Sequence, residues 1–131
     1  MNYIKLKNYI MLTDGYIGCY LKPDEIKIDL SKITEIHSTD VKTLDPDVLI
    51  ETYQKASKTR YSVITESSGL LIRIDGEIDN RKMYIPEKQL NMFYGYTGIK
   101  IPYNDREPVL ILKYGIPYGI VLPVRVVEDE K

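Results

Sequence analysis

Asp14, Glu25 and Lys27 are the residues whose types and spacing come nearest to a catalytic constellation. In metal-dependent nucleases, carboxylates hold the metal and a lysine from a Glu-x-Lys stretch supports the attacking water. The stretch "EIK" at 25–27 has that form. Asp14, however, begins an Asp-Gly pair that is typical of tight turns. A metal-dependent nuclease therefore stays an alternative, and the sequence predicts no catalytic residue, no metal and no cofactor.

Cys19 and His37 are the only cysteine and the only histidine of the 131 residues. One chain therefore has neither an intrachain disulfide nor a zinc site built from Cys and His. Cys19 lies in an apolar strand pattern and is predicted to be a structural thiol. No stretch approaches the ~18 apolar residues of a membrane span, and the N-terminus lacks the pattern of a signal peptide. These features predict a cytoplasmic protein with no membrane contact.

The opening stretch "NYIKLKNYI" (2–10) alternates between apolar residues and a series of rings and cations. Together with the strand that follows Asp14-Gly15, this alternation predicts an outward face of four tyrosines and three lysines. Tyrosines can stack on unpaired bases while lysines pair with phosphates, which is how single strands are bound without sequence preference. An exposed strand edge or a dimer contact is the alternative. The predicted face consists of Tyr3, Lys5, Lys7, Tyr9, Tyr16, Tyr20 and Lys22.

A second group of cations, interleaved with tyrosine, lies in the middle of the chain. Because the net charge is −1, attraction to nucleic acid has to come from local patches such as these two. A solvated charged surface is the alternative here too. The second group consists of Lys55, Lys58, Arg60, Arg73, Arg81, Lys82 and Tyr84.

Two hairpins are predicted to position these residues. Asp14-Gly15 as a two-residue turn places Leu12 opposite Ile17. In the second hairpin, a four-residue loop "ESSG" (66–69) places Val63 opposite Ile72 and Arg60 opposite Asp75.

The remaining segments predict two helices and further strands. Asp45 as N-cap and Pro46 at the first position indicate a helix over 44–58, and Pro86 and Gly95 delimit a short second helix. The stretches 25–30 and 81–85 are predicted to be strands. The C-terminal third is apolar on nearly both faces, which is typical of strands buried on both sides by helices or a partner subunit.

These elements predict one domain over 1–131. Its fold class is α+β, with a mainly antiparallel β-sheet and two helices, and not an OB barrel.

The chain resembles the small single-stranded-DNA-binding proteins of crenarchaeal rod-shaped viruses. The resemblance lies in size, in a composition with 12 tyrosines, and in stretches such as "YIKLKNY" and "KASKTRYS". It implies a fold other than the OB barrel and a homodimer in the cytoplasm of the host cell. It also implies non-catalytic, sequence-independent binding of single-stranded DNA in viral genome replication or processing, alongside the enzymes of those processes.

The stretch "PVLILKYGIPYGIVLPVRV" (108–126) is also similar to the final strands of DNA sliding clamps. A clamp ring contains several such repeats, and this chain has one. A clamp-like or protein-interaction module is therefore a further alternative, and single-stranded DNA binding is the predicted function.

Overall fold

The computed structural model describes residues 1–27, 29–37, 41–104 and 106–126, with the side chains of Arg60 and Tyr61 left out. The strands, in chain order, are β1 (Asn2–Lys5), β2 (Ile10–Thr13), β3 (Ile17–Leu21), β4 (Thr34–Glu35), β5 (Gln54–Thr65), β6 (Gly69–Gly76), β7 (Lys82–Pro86), β8 (Gly98–Ile101), β9 (Val109–Lys113) and β10 (Ile116–Val121). The helices are α1 (Pro46–Thr52) and α2 (Glu87–Leu90), and short 3₁₀ turns cover Pro23–Glu25, Leu30–Lys32 and Val41–Thr43.

All ten strands belong to one sheet, in the order β4-β1-β2-β3-β10-β9-β8-β5-β6-β7. Each neighbouring pair is antiparallel except β1 and β4, which are parallel. Beyond β10, the chain returns to the far edge through one isolated bridge between Val124 and Tyr84. Within the described residues the sheet stays open. The predicted α+β class, with a mainly antiparallel sheet and no OB barrel, is therefore confirmed.

Strands β9 and β10 are buried on both faces, as their sequence predicts. On one face, Leu110 and Ile120 pack with Leu49 and Tyr53 from α1 and its end. On the other face, Ile111 joins a second cluster with apolar residues of β6, β7 and α2. The register between β5 and β6 shifts between Lys58 and Ser62, as at a β-bulge. The chain's own elements therefore cover both faces, without need of a partner subunit.

The predicted register of the first hairpin is wrong. The stretch 2–10 is not one strand, because the chain turns back between β1 and β2, where the Leu6 N–H bonds the Tyr9 carbonyl at 2.9 Å. Leu12 then lies opposite Cys19 instead of Ile17. The cause is Asp14, whose carboxylate accepts the N–H groups of Tyr16 and Ile17 at 2.9 and 3.0 Å. This longer Asx-type loop replaces the expected two-residue turn.

The second hairpin also differs from its prediction. Its loop has three residues, so Val63 lies opposite Leu71 instead of Ile72. Gly69, at φ +69°, already belongs to the strand. The predicted pair of Arg60 with Asp75 cannot be compared, since the Arg60 side chain lies outside the described residues; in the backbone register Asp75 lies opposite Ser57.

One predicted helix is too long, and one predicted strand forms no strand among its described residues. The helix with Asp45 as N-cap ends at Thr52 and not at residue 58. The residues from Gln54 onward form β5, which pairs with β8 and β6, and the buried Gln54 and Ala56 alternate with the exposed Lys55 as in a strand. The stretch 25–30, predicted as a strand, contains the ends of two 3₁₀ turns, the second capped by the Asp29 carboxylate; its Ile28 lies outside the described residues. The predicted strand at 81–85 is confirmed as β7, and a helix does follow Pro86, but it ends at Leu90 and not near Gly95.

We expect Gln54→Met to lower the free energy of unfolding by about 2 kcal/mol, because it unpairs hydrogen-bonding groups in the β6–β7 turn. The Gln54 side chain is 2 % exposed. Its oxygen accepts the N–H of Ile78 at 3.0 Å, and its nitrogen donates to Asp79 at 2.6 Å. Urea unfolding measures the change. Gln89→Met on α2 is the control, and an equal loss there would remove the special role of Gln54.

The same variant has a predicted pH dependence. The amide of Gln54 is the main cause that lowers the pKa of Asp79. A carboxyl group whose pKa is lowered by folding stabilises the folded state at pH values above its unfolded-state pKa of about 3.9. This stabilisation is lost as the pH falls through the folded-state pKa. The stability difference between wild type and Gln54→Met is therefore expected to narrow below about pH 4.

Candidate nucleic-acid interface

Two tyrosines of the predicted N-terminal face are buried, so their predicted outward orientation is wrong. The Tyr20 hydroxyl donates to the carbonyl of Leu44 at 2.6 Å, beneath the segment that leads into α1. The Tyr3 hydroxyl donates to Glu35 of β4 at 3.3 Å. Side chains on both faces of β1 are covered, since the consecutive residues Tyr3 and Ile4 are both buried. Neither ring is available for stacking on a base.

The other members of this face lie in mixed surroundings. Tyr9 is half-buried and packs edge-on against Tyr20 at 5.9 Å between centroids. Burial, followed by the charges of Asp47, Asp45 and Glu25, raises the pKa of Tyr9. The exposed Lys5 lies 3.8 Å from a carboxylate oxygen of Glu35. Lys7 and Lys22 are exposed. Tyr16 is also exposed, but it belongs to the β2–β3 loop, at the end of the sheet opposite to Lys7 and Lys22.

The second group of cations does not form one exposed tract. Arg73 holds Asp75 through two contacts of 2.9 and 3.1 Å, and Arg81 lies 3.6 Å from Asp79. Tyr84 is buried, so its predicted role as a stacking ring lacks an exposed face. Arg60 lies outside the described side chains. The exposed members are Lys55, Lys58 and Lys82, and the first two belong to β5 instead of the predicted helix end.

The topology instead gathers rings and cations at one end of the sheet. Ile10, the first residue of β2, lies opposite Leu21, the last residue of β3. Strand β10 is antiparallel to β3, so the start of β10, where Ile116 lies opposite Lys113 of β9, is at the same end of the sheet. The β1–β2 turn, the end of β3 and the β9–β10 turn therefore share this end, across five neighbouring strands or roughly 20 Å. We call it the hairpin-end surface; it consists of Lys7, Tyr9, Lys22, Tyr94, Lys113, Tyr114, Ile116 and Tyr118.

Tyrosine rings dominate the hairpin-end surface. Tyr94 and Tyr114 are 85 % and 79 % exposed. Tyr118 lies beside them, held edge-on against Phe93 at 5.1 Å, and its hydroxyl donates to the Tyr94 carbonyl at 3.2 Å. The Lys113 ammonium lies 5.8 Å from the centre of the Tyr118 ring. Two open rings, an anchored third ring and a cation thus occur together.

The backbone of the β9–β10 turn explains why Tyr114 protrudes. Tyr114 and Gly115 both have positive φ, 52° and 77°, which is the geometry of a two-residue type I′ turn. The Tyr114 N–H also bonds the Thr97 hydroxyl at 2.7 Å. The tip is therefore held in place while its ring stays in solvent.

Five residues of this surface are outside the set of site residues predicted from the sequence: Tyr94, Lys113, Tyr114, Ile116 and Tyr118. The "KYGI" stretch (113–116) between two apolar runs is the signal that could have indicated a hairpin tip. Three predicted residues do belong to the surface, namely Lys7, Tyr9 and Lys22.

The structure does not bring the nuclease residues together. Backbone N–H groups from Ile17 and Tyr16 bond the Asp14 carboxylate and lower its pKa. Glu25 follows the other end of β3, on the order of 15–20 Å away along the strand. Within the described ranges, no three His, Cys, Asp or Glu side chains are grouped to hold a metal ion.

Comparison with models of protein families, with characterised proteins and with solved structures finds no match for this chain. The helices α1 and α2 have seven and four residues. In the part of the chain that the structure describes, no helix is therefore long and apolar enough to cross a membrane.

Proposed function

We propose that the protein binds single-stranded DNA without sequence preference, through the hairpin-end surface. The observation that carries this proposal is the pair of open rings, Tyr94 and Tyr114, beside the Lys113–Tyr118 contact. Rings of this kind stack on any base, since every base has a π-face, and each stack contributes about 1–3 kcal/mol. Bases inside a duplex offer no such face, so duplex DNA is a poor ligand for this surface.

Charge has a smaller part in the proposal than the rings. The surface has three cations, from Lys7, Lys22 and Lys113. Carboxylates lie close to them: Asp24 and Glu25 follow Lys22 in the sequence, and Asp47 accepts a hydrogen bond from the Asn8 side chain at 2.8 Å. Phosphate contacts therefore position the strand, while stacking supplies most of the affinity. Replication or processing of a viral genome, the role that the family resemblance implies, is the setting we propose for this binding.

The test is fluorescence anisotropy with a labelled dT oligonucleotide at low salt, with a duplex of equal length as comparison. Binding of the intact single strand, and weaker binding of the duplex, supports the proposal. Shortening of the strand on addition of Mg²⁺ or Mn²⁺ would instead favour the nuclease. No binding at low salt would leave a protein-interaction module. Sedimentation velocity on the same samples tests the homodimer that the family resemblance implies.

We expect the double variant Lys22→Gln, Lys113→Gln to weaken binding and to flatten its salt dependence. Each lost phosphate contact reduces the slope of log K against log [salt] by about 0.7 for a single strand, so two contacts remove up to about 1.4. Oligonucleotide titrations over a range of salt concentrations measure the slope. Lys82→Gln, Lys88→Gln is the control, with the same change of charge away from this surface. A larger effect of the control would place the binding path near β7 and α2.

A further inference from the structure

A cleft of about 670 Å³ lies where the start of β7, the β8–β9 loop and the segment after β10 meet. It is at the end of the sheet opposite to the hairpin-end surface, because Val109 and Val121 pair at this end of β9 and β10. Its volume falls within the ~300–1,000 Å³ of ligand pockets. The side chains that decide its chemistry are those of Asn80, Lys82, Arg106, Pro123, Val124 and Arg125.

Positive charge is the main feature of this cleft. Lys82, Arg106 and Arg125 line it from the three different segments, and all three are exposed. Within the described part of the chain, neither Lys82 nor Arg106 forms an ion pair with a carboxylate. Arg125 has an interaction of its own within the chain and adds a third positive charge. The exposed Asn80 side chain adds an amide donor.

The described carboxylates of the same region have other partners. Asp79, in the turn before β7, accepts a hydrogen bond from Gln54 at 2.6 Å and lies 3.6 Å from Arg81. Glu107 lines a separate cleft, where it lies beside Tyr53. Among the residues that the structure describes, no carboxylate lines the basic cleft. A cleft lined by charges of one sign concentrates ions of the opposite sign, so this one attracts anions.

The composition of the walls favours a phosphate over a base. Pro123 and Val124 supply apolar surface, and Tyr84, the aromatic residue among the described lining, is only 7 % exposed. The cleft therefore offers no open ring on which a base could stack. A guanidinium group can donate two parallel N–H groups to phosphate oxygens. A single phosphate group carries about two negative charges at most, so three cations suit two adjoining phosphates better than one.

We propose that this cleft binds the diphosphate group of a small phosphorylated ligand. Arg106 and Lys82 contact the phosphate oxygens, and Arg125 adds to the positive field around them. The site does not depend on single-strand binding at the hairpin-end surface, which lies at the other end of the sheet.

Calorimetric titration of the full chain with inorganic diphosphate at low salt tests the proposal. We expect saturable binding that is roughly tenfold or more tighter than binding of orthophosphate, because each further charge-assisted hydrogen bond contributes at least the free energy of a tenfold change. Absence of saturable binding at millimolar diphosphate, or equal affinities for diphosphate and orthophosphate, would overturn the proposal.

Arg106→Gln is the variant that tests the site itself. Because the Arg106 side chain is exposed and has no ion pair with a described residue, the thermal midpoint should stay unchanged while diphosphate affinity falls roughly tenfold or more. Lys32→Gln is the control, since it removes one exposed cation just before β4, at the other edge of the sheet from β7. Equal losses in the two variants would mean attraction by overall charge alone and would overturn the site.

A third variant tests whether the chain fills the cleft with its own acidic residues. Glu128, Asp129 and Glu130 follow the lining segment in the sequence. Replacement of all three by the corresponding amides, in the full chain, is expected to raise diphosphate affinity by no more than roughly tenfold through the general change of charge. If only this variant binds diphosphate, the acidic run is the occupant of the cleft, and the proposal of an external ligand is wrong.

A comparison of probes identifies the source of the diphosphate group. If adenosine 5′-diphosphate binds at least as tightly as inorganic diphosphate, and adenosine 5′-monophosphate binds more weakly, the site accepts a nucleotide or a similar organic diphosphate. If inorganic diphosphate binds and the nucleotide does not, the ligand is the free anion. If Arg106→Gln weakens binding of a dT oligonucleotide while diphosphate does not bind, the cleft belongs to the path of a DNA strand and the proposal is overturned.

Discussion

Replacing Tyr94 with alanine and Tyr114 with asparagine in one chain is expected to weaken binding of a dT oligonucleotide by about 2–6 kcal/mol. That range corresponds to a loss of roughly 30-fold to more than 10⁴-fold, because each stacked base contributes about 1–3 kcal/mol. Both rings are open to solvent and add little to the core. Asparagine is chosen at 114 because it tolerates the positive φ of this position. Anisotropy titrations at one fixed low salt concentration measure the loss.

Tyr16→Ala is the matched control for this double variant. Tyr16 is 67 % exposed but lies in the β2–β3 loop at the other end of the sheet. Its removal is expected to leave affinity unchanged, and thermal unfolding should show all three proteins equally folded. If the double variant binds like the wild type, or if Tyr16→Ala costs as much, the rings of the hairpin-end surface do not form the binding site.

Local signals in the sequence were sufficient for several elements. Asp45 and Pro46 begin α1 because a carboxylate cap and a fixed proline φ act within one turn. The apolar runs of β9 and β10 correctly indicated strands buried on both faces, although the chain covers them itself. Register failed at Asp14, where the side chain captures two N–H groups and lengthens the loop.

Tyrosine is the residue type for which sequence reasoning was weakest. Its ring is apolar and its hydroxyl is polar, so the same residue suits a core or a wet face. Tyr20 satisfies its hydroxyl on a buried carbonyl, whereas Tyr114 stands in solvent at a turn. Alternation along a strand cannot separate these two outcomes when both faces of the sheet are covered.

The candidate interface itself depends on long-range pairing. Strands β10 and β9 insert between β3 and β8, so that Lys22 and Lys113 reach the same end of the sheet. No local pattern states that β3 pairs with a strand almost a hundred residues later. The cations of 2–22 were therefore recognised, while the rings that join them from the C-terminal third were missed.

Gly119→Ala is expected to lower the free energy of unfolding by roughly 3 kcal/mol or more, at the upper end of overpacking effects. A Cβ at this position would lie 2.2 Å from a ring carbon of Phe93 and 2.3 Å from the carbonyl oxygen of Gly18. Phe93 is buried and cannot yield without opening the core, and the Gly18 carbonyl belongs to the neighbouring strand. Guanidinium unfolding at equilibrium measures the loss.

Gly98→Ala on β8 is the control for this prediction, because its Cβ would meet the nearest atoms at an ordinary 3.6 Å. We expect it to change stability by no more than about 1 kcal/mol. Equal losses in the two variants would mean that Gly119 is required for strand flexibility and not for close approach. The distinction matters for function: Phe93 precedes Tyr94 and supports the Tyr118 ring, so a displaced Phe93 also moves the rings proposed to stack on DNA. Any folded Gly119→Ala protein is therefore expected to lose oligonucleotide affinity, whereas Gly98→Ala keeps it.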